Sequence, residues 1–302
     1  MSETGKGMMA VVGTFLIWGV SPAYYRLLSH VPPLEIMSHR VIWSLVLFSG
    51  LLAVQGRLGE VGAALRGRRQ LGILVLASTL ISANWFLFIY ATQIDRVTET
   101  SIGYYIYPLL AVLLGWVVYK ERLSLLQWLA VGLAGTAVAL LTWGLGILPW
   151  FSLAIALSFA LYGLSKKALT SGPVVSVTAE VLVMLPFICL VMVGIYASGP
   201  GHFGWSLRDS LLLIGAGPMT AIPLFFFSYA LRRVAMGTVG LMLYMNPTLQ
   251  FLCAVFVFGE AFTRWHAIAF PMIWLALACY TWEVLRRERA ARRAVVRASE
   301  IS

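Results

Sequence analysis

Along this chain, apolar residues come in blocks of about twenty, and short segments between the blocks hold most of the charge. A helix needs ~20 apolar residues to cross a ~30 Å hydrocarbon core, and a spanning helix satisfies its own backbone polar groups. The blocks therefore predict ten membrane-spanning helices, at 8–27, 34–54, 71–91, 99–118, 124–143, 147–167, 177–197, 209–230, 237–258 and 264–285. The first block lacks a small-residue cleavage pattern and is expected to be a retained span. The reading is an all-α polytopic membrane protein. Its short connections leave no room for a separate soluble domain.

The blocks are not independent of one another. Shifted by 139 positions without a gap, 74–121 matches 213–260 at about a dozen identities. They include Phe86/Phe225, Phe88/Phe227, Tyr90/Tyr229, Ala91/Ala230, Tyr105/Tyr244, Pro108/Pro247, Val118/Val257 and Glu121/Glu260. Apolar matches arise by chance, but aligned Tyr, Pro and Glu in one register do so far less readily. The repeat divides the chain into 1–145, 146–286 and a basic tail, 287–302, each main part carrying five spans.

Composition removes the soluble alternative. The chain is 60% hydrophobic and 11% charged, against ~25% charged in ordinary soluble domains. The net charge of +10 does not imply nucleic-acid binding, because the basic residues sit in connections and the tail. With the N-terminus placed inside, eleven Lys and Arg fall on inner segments and six in the tail, against Arg26, Arg96, Arg208 and Arg264 outside. That asymmetry predicts cytoplasmic termini in a bacterial inner membrane. Five spans per half is odd, so the second half is expected to enter the bilayer upside down. Glu121 would then lie at the inner surface and Glu260 at the outer, where each caps a helix end or pairs with a nearby cation.

Several segments together carry a resemblance: WGVSPAYYR (18–26), EIMSHRVIWS (35–44), NWFLFIY (84–90), TSIGYYIYPL (100–109), LPWF (148–151), LYGLSKK (161–167), GLMLYMNPTLQFL (240–252) and FGE (258–260). The chain resembles the drug/metabolite transporter superfamily, whose half-unit is the EamA domain, and within it the RarD-type permeases. The likeness covers nearly the whole length. It implies a ten-helix carrier of small organic molecules, without naming one. Tyr107 stands where such permeases often have Asn, and Arg26 where Lys is common.

Candidate site residues follow from what is costly in lipid. Arg40 lies about six residues into the second span, where a charge costs at least ~2.5–3.5 kcal/mol on insertion scales. It either snorkels outward or faces a cavity and meets an anionic or zwitterionic substrate. Glu35 and His39, spaced i,i+4, are expected to stack on one face. Glu180, near the start of the seventh span, is a candidate proton-coupling carboxylate, with a structural hydrogen-bonded role as the alternative. Helix depth separates it from Arg40, so no salt bridge between them is expected. Pro108 and Pro247 are matched candidate hinges, flanked by Tyr104, Tyr105 and Tyr107 in one half and by Tyr244 and Asn246 in the other, with Gln250 one turn beyond; helix packing with tyrosines hydrogen-bonded across it is the alternative. Trp18, Tyr25, Asn84 and Trp85 are candidates for an aromatic wall around a substrate. The run 130–139 reads as a close-packing surface.

Other chemistries lack their signatures. The chain has no Walker A, H-E-x-x-H or G-x-S-x-G pattern, and its two aspartates, Asp95 and Asp209, lie at connections. Its three cysteines have no metal-ligand spacing. No enzyme activity, cofactor, metal or nucleic-acid partner is expected. The expected partners are the lipid bilayer, a small organic substrate and a proton as coupling ion. The leading reading is a secondary carrier that exports metabolites or drugs by alternating access. A channel, or a membrane-embedded sensor or accessory protein, is the alternative.

Overall fold

The computed structural model describes the backbone of residues 2–120, 122–199, 201–234 and 236–301, and the side chains within these up to Arg287, except at 236 and 237. Glu121 and the side chains of the distal tail, including Arg289, Arg292, Arg293 and Arg297, lie outside the described residues.

The described residues are almost entirely helical. In chain order the helices are α1 (Glu3–Arg26), α2 (Pro33–Val54), α3 (Leu58–Ala64), α4 (Arg68–Gln93), α5 (Val97–Tyr119), α6 (Leu125–Leu145), α7 (Trp150–Lys167), α8 (Pro173–Ser198), α9 (Leu207–Gly215), α10 (Pro218–Leu231), α11 (Met236–Met242), α12 (Met245–Leu252) and α13 (Arg264–Ile301). Nine described segments are long and apolar enough to cross a membrane, and Trp150–Lys166 is a shorter apolar helix. Large apolar side chains point outward, among them Trp143, Leu190 and Val193 at 79%, 72% and 67% exposure. Such a surface requires lipid rather than water as its solvent.

Three features depart from the expected spans. The short α3 lies in a segment expected to be a plain connection. The eighth predicted span is broken between α9 and α10, and the ninth consists of α11, α12 and a π-helical turn, Cys253–Val257. In the eighth, Pro218 has no N–H to continue the helix begun by α9. Gly217 also lies against α2, where an added Cβ would stand 2.4 Å from Trp43 Cβ and 2.6 Å from the Trp43 carbonyl carbon. In the ninth, Pro247 removes the donor that Leu243 O would otherwise meet, and Asn246 N takes that carbonyl at 3.3 Å. Gly217→Ala is expected to cost ~1–3 kcal/mol by overpacking against backbone that cannot step aside. Thermal unfolding in detergent checks it, and a wild-type melting temperature would show that α2 and α10 do not approach so closely.

Packing crosses between the two halves. Helices α4 and α5 lie on α7, and α10 and α12 lie on α1, while α2 faces α8 and α6 faces α13. The α6–α13 seam sets Ala130, Ala134 and Ala137 against Ala269, Ile273 and Ala276. Small residues at i, i+4 and i+7 let the two backbones come close. This is the close-packing surface expected of 130–139. It leaves the other helices to surround the centre.

Candidate functional site

A cavity of about 350 Å³ opens between the halves, within the usual ~300–1,000 Å³ of small-molecule pockets. Helix α1 contributes Phe15, Trp18, Ser21 and Tyr25, and α7 contributes Phe159, Tyr162 and Lys166. Spacings of three, four and seven put each set on one face of its helix. From α4 come Asn84, Trp85 and Phe88, from α5 Tyr104, Tyr107 and Pro108, and from the second half Phe227, Tyr244, Asn246, Pro247 and Gln250. Among the described residues, none of α6 or α13 lines it.

The wall is aromatic, and one charge within it has no counter-ion. Arg40 is 6% exposed. Its guanidinium carbon lies 4.3 Å from the Trp85 ring centre and 5.7 Å from that of Tyr25, within cation–π range. Its Nε has no hydrogen-bond partner, and no carboxylate among the described residues pairs with it. Arg40 therefore faces the cavity rather than snorkelling to a surface.

The amides are committed to the framework. Asn84 Nδ2 donates to Ile155 O at 3.0 Å and to Ser158 Oγ at 3.1 Å, while its Oδ1 accepts from the Tyr104 hydroxyl at 2.9 Å. It bolts α4, α5 and α7 together at the cavity wall. Gln250 Nε2 donates to Asn246 Oδ1 at 3.0 Å. The two matched prolines lie on touching helices, α5 and α12. These are stitched by Ser101 Oγ donating to Pro247 O at 2.9 Å and by Tyr105 and Thr248 hydroxyls 2.6 Å apart.

Three expectations need correction. Tyr105 does not line the cavity; its ring is buried against Phe270 and Trp274 on the α13 side. His39 is also outside it, stacked on Phe203 at 4.8 Å with neither ring nitrogen partnered. Glu35 does not pair with His39. It is fully buried and accepts from the backbone N–H of His202 at 2.7 Å, with His202 Nδ1 at 2.9 Å from its other oxygen. The connection after α8 folds over the start of α2 and offers two hydrogen bonds, where the local i,i+4 spacing offered one.

Glu180 lies behind the wall, 2% exposed, and is separate from Arg40. Lys166 Nζ stands 2.5 Å from Oε1, with Ser176 Oγ at 2.9 Å, and the Tyr162 hydroxyl donates to Oε2 at 3.0 Å. Tyr104 and Tyr107, expected only as polar aromatics beside Pro108, do line the cavity, while Phe159, Tyr162 and Lys166 were missed. The signal for these three was present in the 159, 162, 166 spacing.

The two ends of the cavity differ. At the face where α1 begins, called here the near face, the lining reaches helix ends: Lys166, Pro173 and Leu231. The far face is closed by contacts across the halves. Besides Glu35–His202, His30 Nε2 meets Asp209 at 3.2 Å, and the Tyr24 hydroxyl donates to Leu212 O. Glu260 accepts from Val97 N at 2.6 Å and Thr98 N at 2.7 Å, capping α5 as expected. At the near face the halves meet through an apolar cluster, Leu52, Val61 and Leu74 against Val175 and Ala179, and through the exposed Glu3–Arg233 pair at 2.9 Å.

Comparison with known proteins accords with this geometry. Residues 5–143 match the model of the EamA-like transporter family. Protein RarD of Salmonella typhimurium is 37% identical over 288 residues, covering 95% of this chain and 98% of that protein. Protein RarD of Streptomyces exfoliatus is 40% identical, covering 96% and 93%. The uncharacterized transporter YojE of Bacillus subtilis is 37% identical, covering 96% and 98%. A solved crystal structure, 17% identical, shares the fold with a TM-score of 0.61, covering 91% of this chain and 96% of its own. The chain belongs to the EamA-like transporter family as a RarD-type permease, a multi-pass membrane transporter.

Proposed function

We propose that the chain is a secondary carrier that exports small organic metabolites or drugs across the bacterial inner membrane by alternating access. The observation that carries this reading is the central cavity, walled by both halves, reaching the near face and shut at the far one. A carrier needs a site that each compartment sees in turn. The exchanged packing, α4 and α5 on α7 against α10 and α12 on α1, supports an inverted pair of five-helix units. The near face is taken as cytoplasmic from the distribution of Lys and Arg. The matched Pro108 and Pro247 sit at the cavity wall, where a bend in either helix changes its shape.

Purified protein in liposomes tests this. Radiolabelled amino acids, amphenicols and other small metabolites are screened for uptake and counterflow, with and without an imposed pH gradient. The expected result is saturable flux that is accelerated by the same compound on the opposite side. Flux that rises without saturation and shows no such acceleration would make the protein a channel.

A further inference from the structure

The geometry points to a narrower substrate class: an organic anion with an aromatic or apolar body and no ammonium group, bound through its carboxylate to Arg40. This rests on the carrier reading for its physiological meaning, but the binding chemistry stands on the cavity alone. Arg40 is buried, faces the cavity and has no carboxylate partner among the described residues. A cation held in lipid-embedded protein normally pairs with an opposite charge. Here the Trp85 ring face and the Tyr25 side chain, whose hydroxyl also meets the guanidinium, hold it in place, and no acidic side chain among the described residues neutralises it, which leaves that role to a ligand. A guanidinium meets a carboxylate through two parallel N–H···O bonds, stronger than neutral ones.

The rest of the lining sets what the ligand lacks. Among the described residues, no Asp or Glu lines the cavity. Glu180, behind the wall, is already matched to Lys166. An amino acid's ammonium would therefore find only ring faces, hydroxyls and amides already bonded to each other, beside an uncompensated Arg40. Ring faces do attract ammonium groups, but those of Trp85 and Tyr25 already serve Arg40. The aromatic residues beyond it, Trp18, Tyr104, Phe159 and Phe227, suit a flat apolar body.

Four probes with one ring separate the possibilities: phenylacetate, phenylacetamide, phenylalanine and phenethylamine. Binding is read from the change in intrinsic tryptophan fluorescence, in which Trp18 and Trp85 report from the cavity wall, excited where the phenyl ring does not absorb. Phenylacetate is expected to bind roughly tenfold tighter than phenylacetamide, the worth of a charge-assisted hydrogen bond, with phenylalanine and phenethylamine weaker than both. Arg40→Gln should bring acid and amide to parity, and Arg40→Lys should keep the anion first. Phenylalanine binding as tightly as phenylacetate overturns the inference, as does an unchanged order in Arg40→Gln or no binding by any probe. If Arg40→Gln does not fold, the wild-type order decides. Counterflow separates this from the carrier reading. Discriminating binding without flux of any compound removes the carrier and keeps the anion site. Saturable flux of zwitterions that ignores Arg40→Gln does the reverse.

Discussion

Lys166→Met is expected to unfold at a markedly lower temperature than wild type, and Lys166→Met/Glu180→Gln to recover most of the loss. Removing one member of a buried ion pair costs ~3–5 kcal/mol, because the other is left uncompensated. The lower end applies here. Lys166 is 24% exposed along its side chain while Glu180 is 2% exposed, so solvent screens part of the interaction. Without Lys166, the Glu180 carboxylate keeps only Ser176 and Tyr162. The double variant removes both charges and leaves a neutral amide among hydroxyls. Melting temperatures of the two singles and the double decide: if the double loses the sum of the singles, the pair is not the stabilising unit.

The same residues bear on coupling. Lys166 and Tyr162 line the cavity, and Glu180 holds both from behind. A substrate that draws Lys166 toward itself would weaken its hold on the carboxylate and let Glu180 accept a proton. On this proposal Glu180→Gln still exchanges substrate between equal compartments but no longer responds to an imposed pH gradient. Undiminished gradient-driven transport by that variant would remove the proton role and leave Glu180 a structural partner of Lys166.

How far these features were legible in the sequence depends on whether their partners were near along the chain. Periodic apolar length located every major helix, because lipid imposes it on each span separately. The breaks within the eighth and ninth spans fall at Pro218 and Pro247, whose missing N–H is visible in the sequence. The contacts that hold them, Gly217 on Trp43 and Ser101 Oγ on Pro247 O, join helices far apart in the chain and were not visible. For the cavity, rare residues within apolar blocks were good guides: Arg40, Trp18 and Asn246 all line it. Helical phase was the weaker guide. Tyr104 and Tyr105 are neighbours, yet only Tyr104 faces the cavity, since consecutive side chains on a helix point about 100° apart. Lys166 was read only as a charge marking the inner surface, although its stem is long enough to turn back to Glu180. Glu35 was assigned to His39 because i,i+4 is the visible spacing; its actual partner lies 167 residues away.

Glu35→Ala is expected to open the far face. The fully buried carboxylate holds the His202 backbone and ring, and hydrogen bonds to a charged acceptor contribute ~1.5–3 kcal/mol each. Those bonds exist only while the connection after α8 lies over α2, so their loss penalises the observed conformation and not one in which that face has parted. A bias of ~1.4 kcal/mol already moves a two-state population tenfold. The reporter is Ser21→Cys on the cavity wall, with Cys189, Cys253 and Cys279 replaced by Ser and a membrane-impermeant maleimide added from the far side. Labelling should rise roughly tenfold in Glu35→Ala. Glu3→Ala, which releases the near-face pair with Arg233, should not raise it. If Glu35→Ala melts earlier while far-side labelling stays at the wild-type rate, Glu35 only fastens a loop and the far face is not a gate. If both variants raise labelling equally, the change is general loosening, and the asymmetry between the two faces has no part in transport.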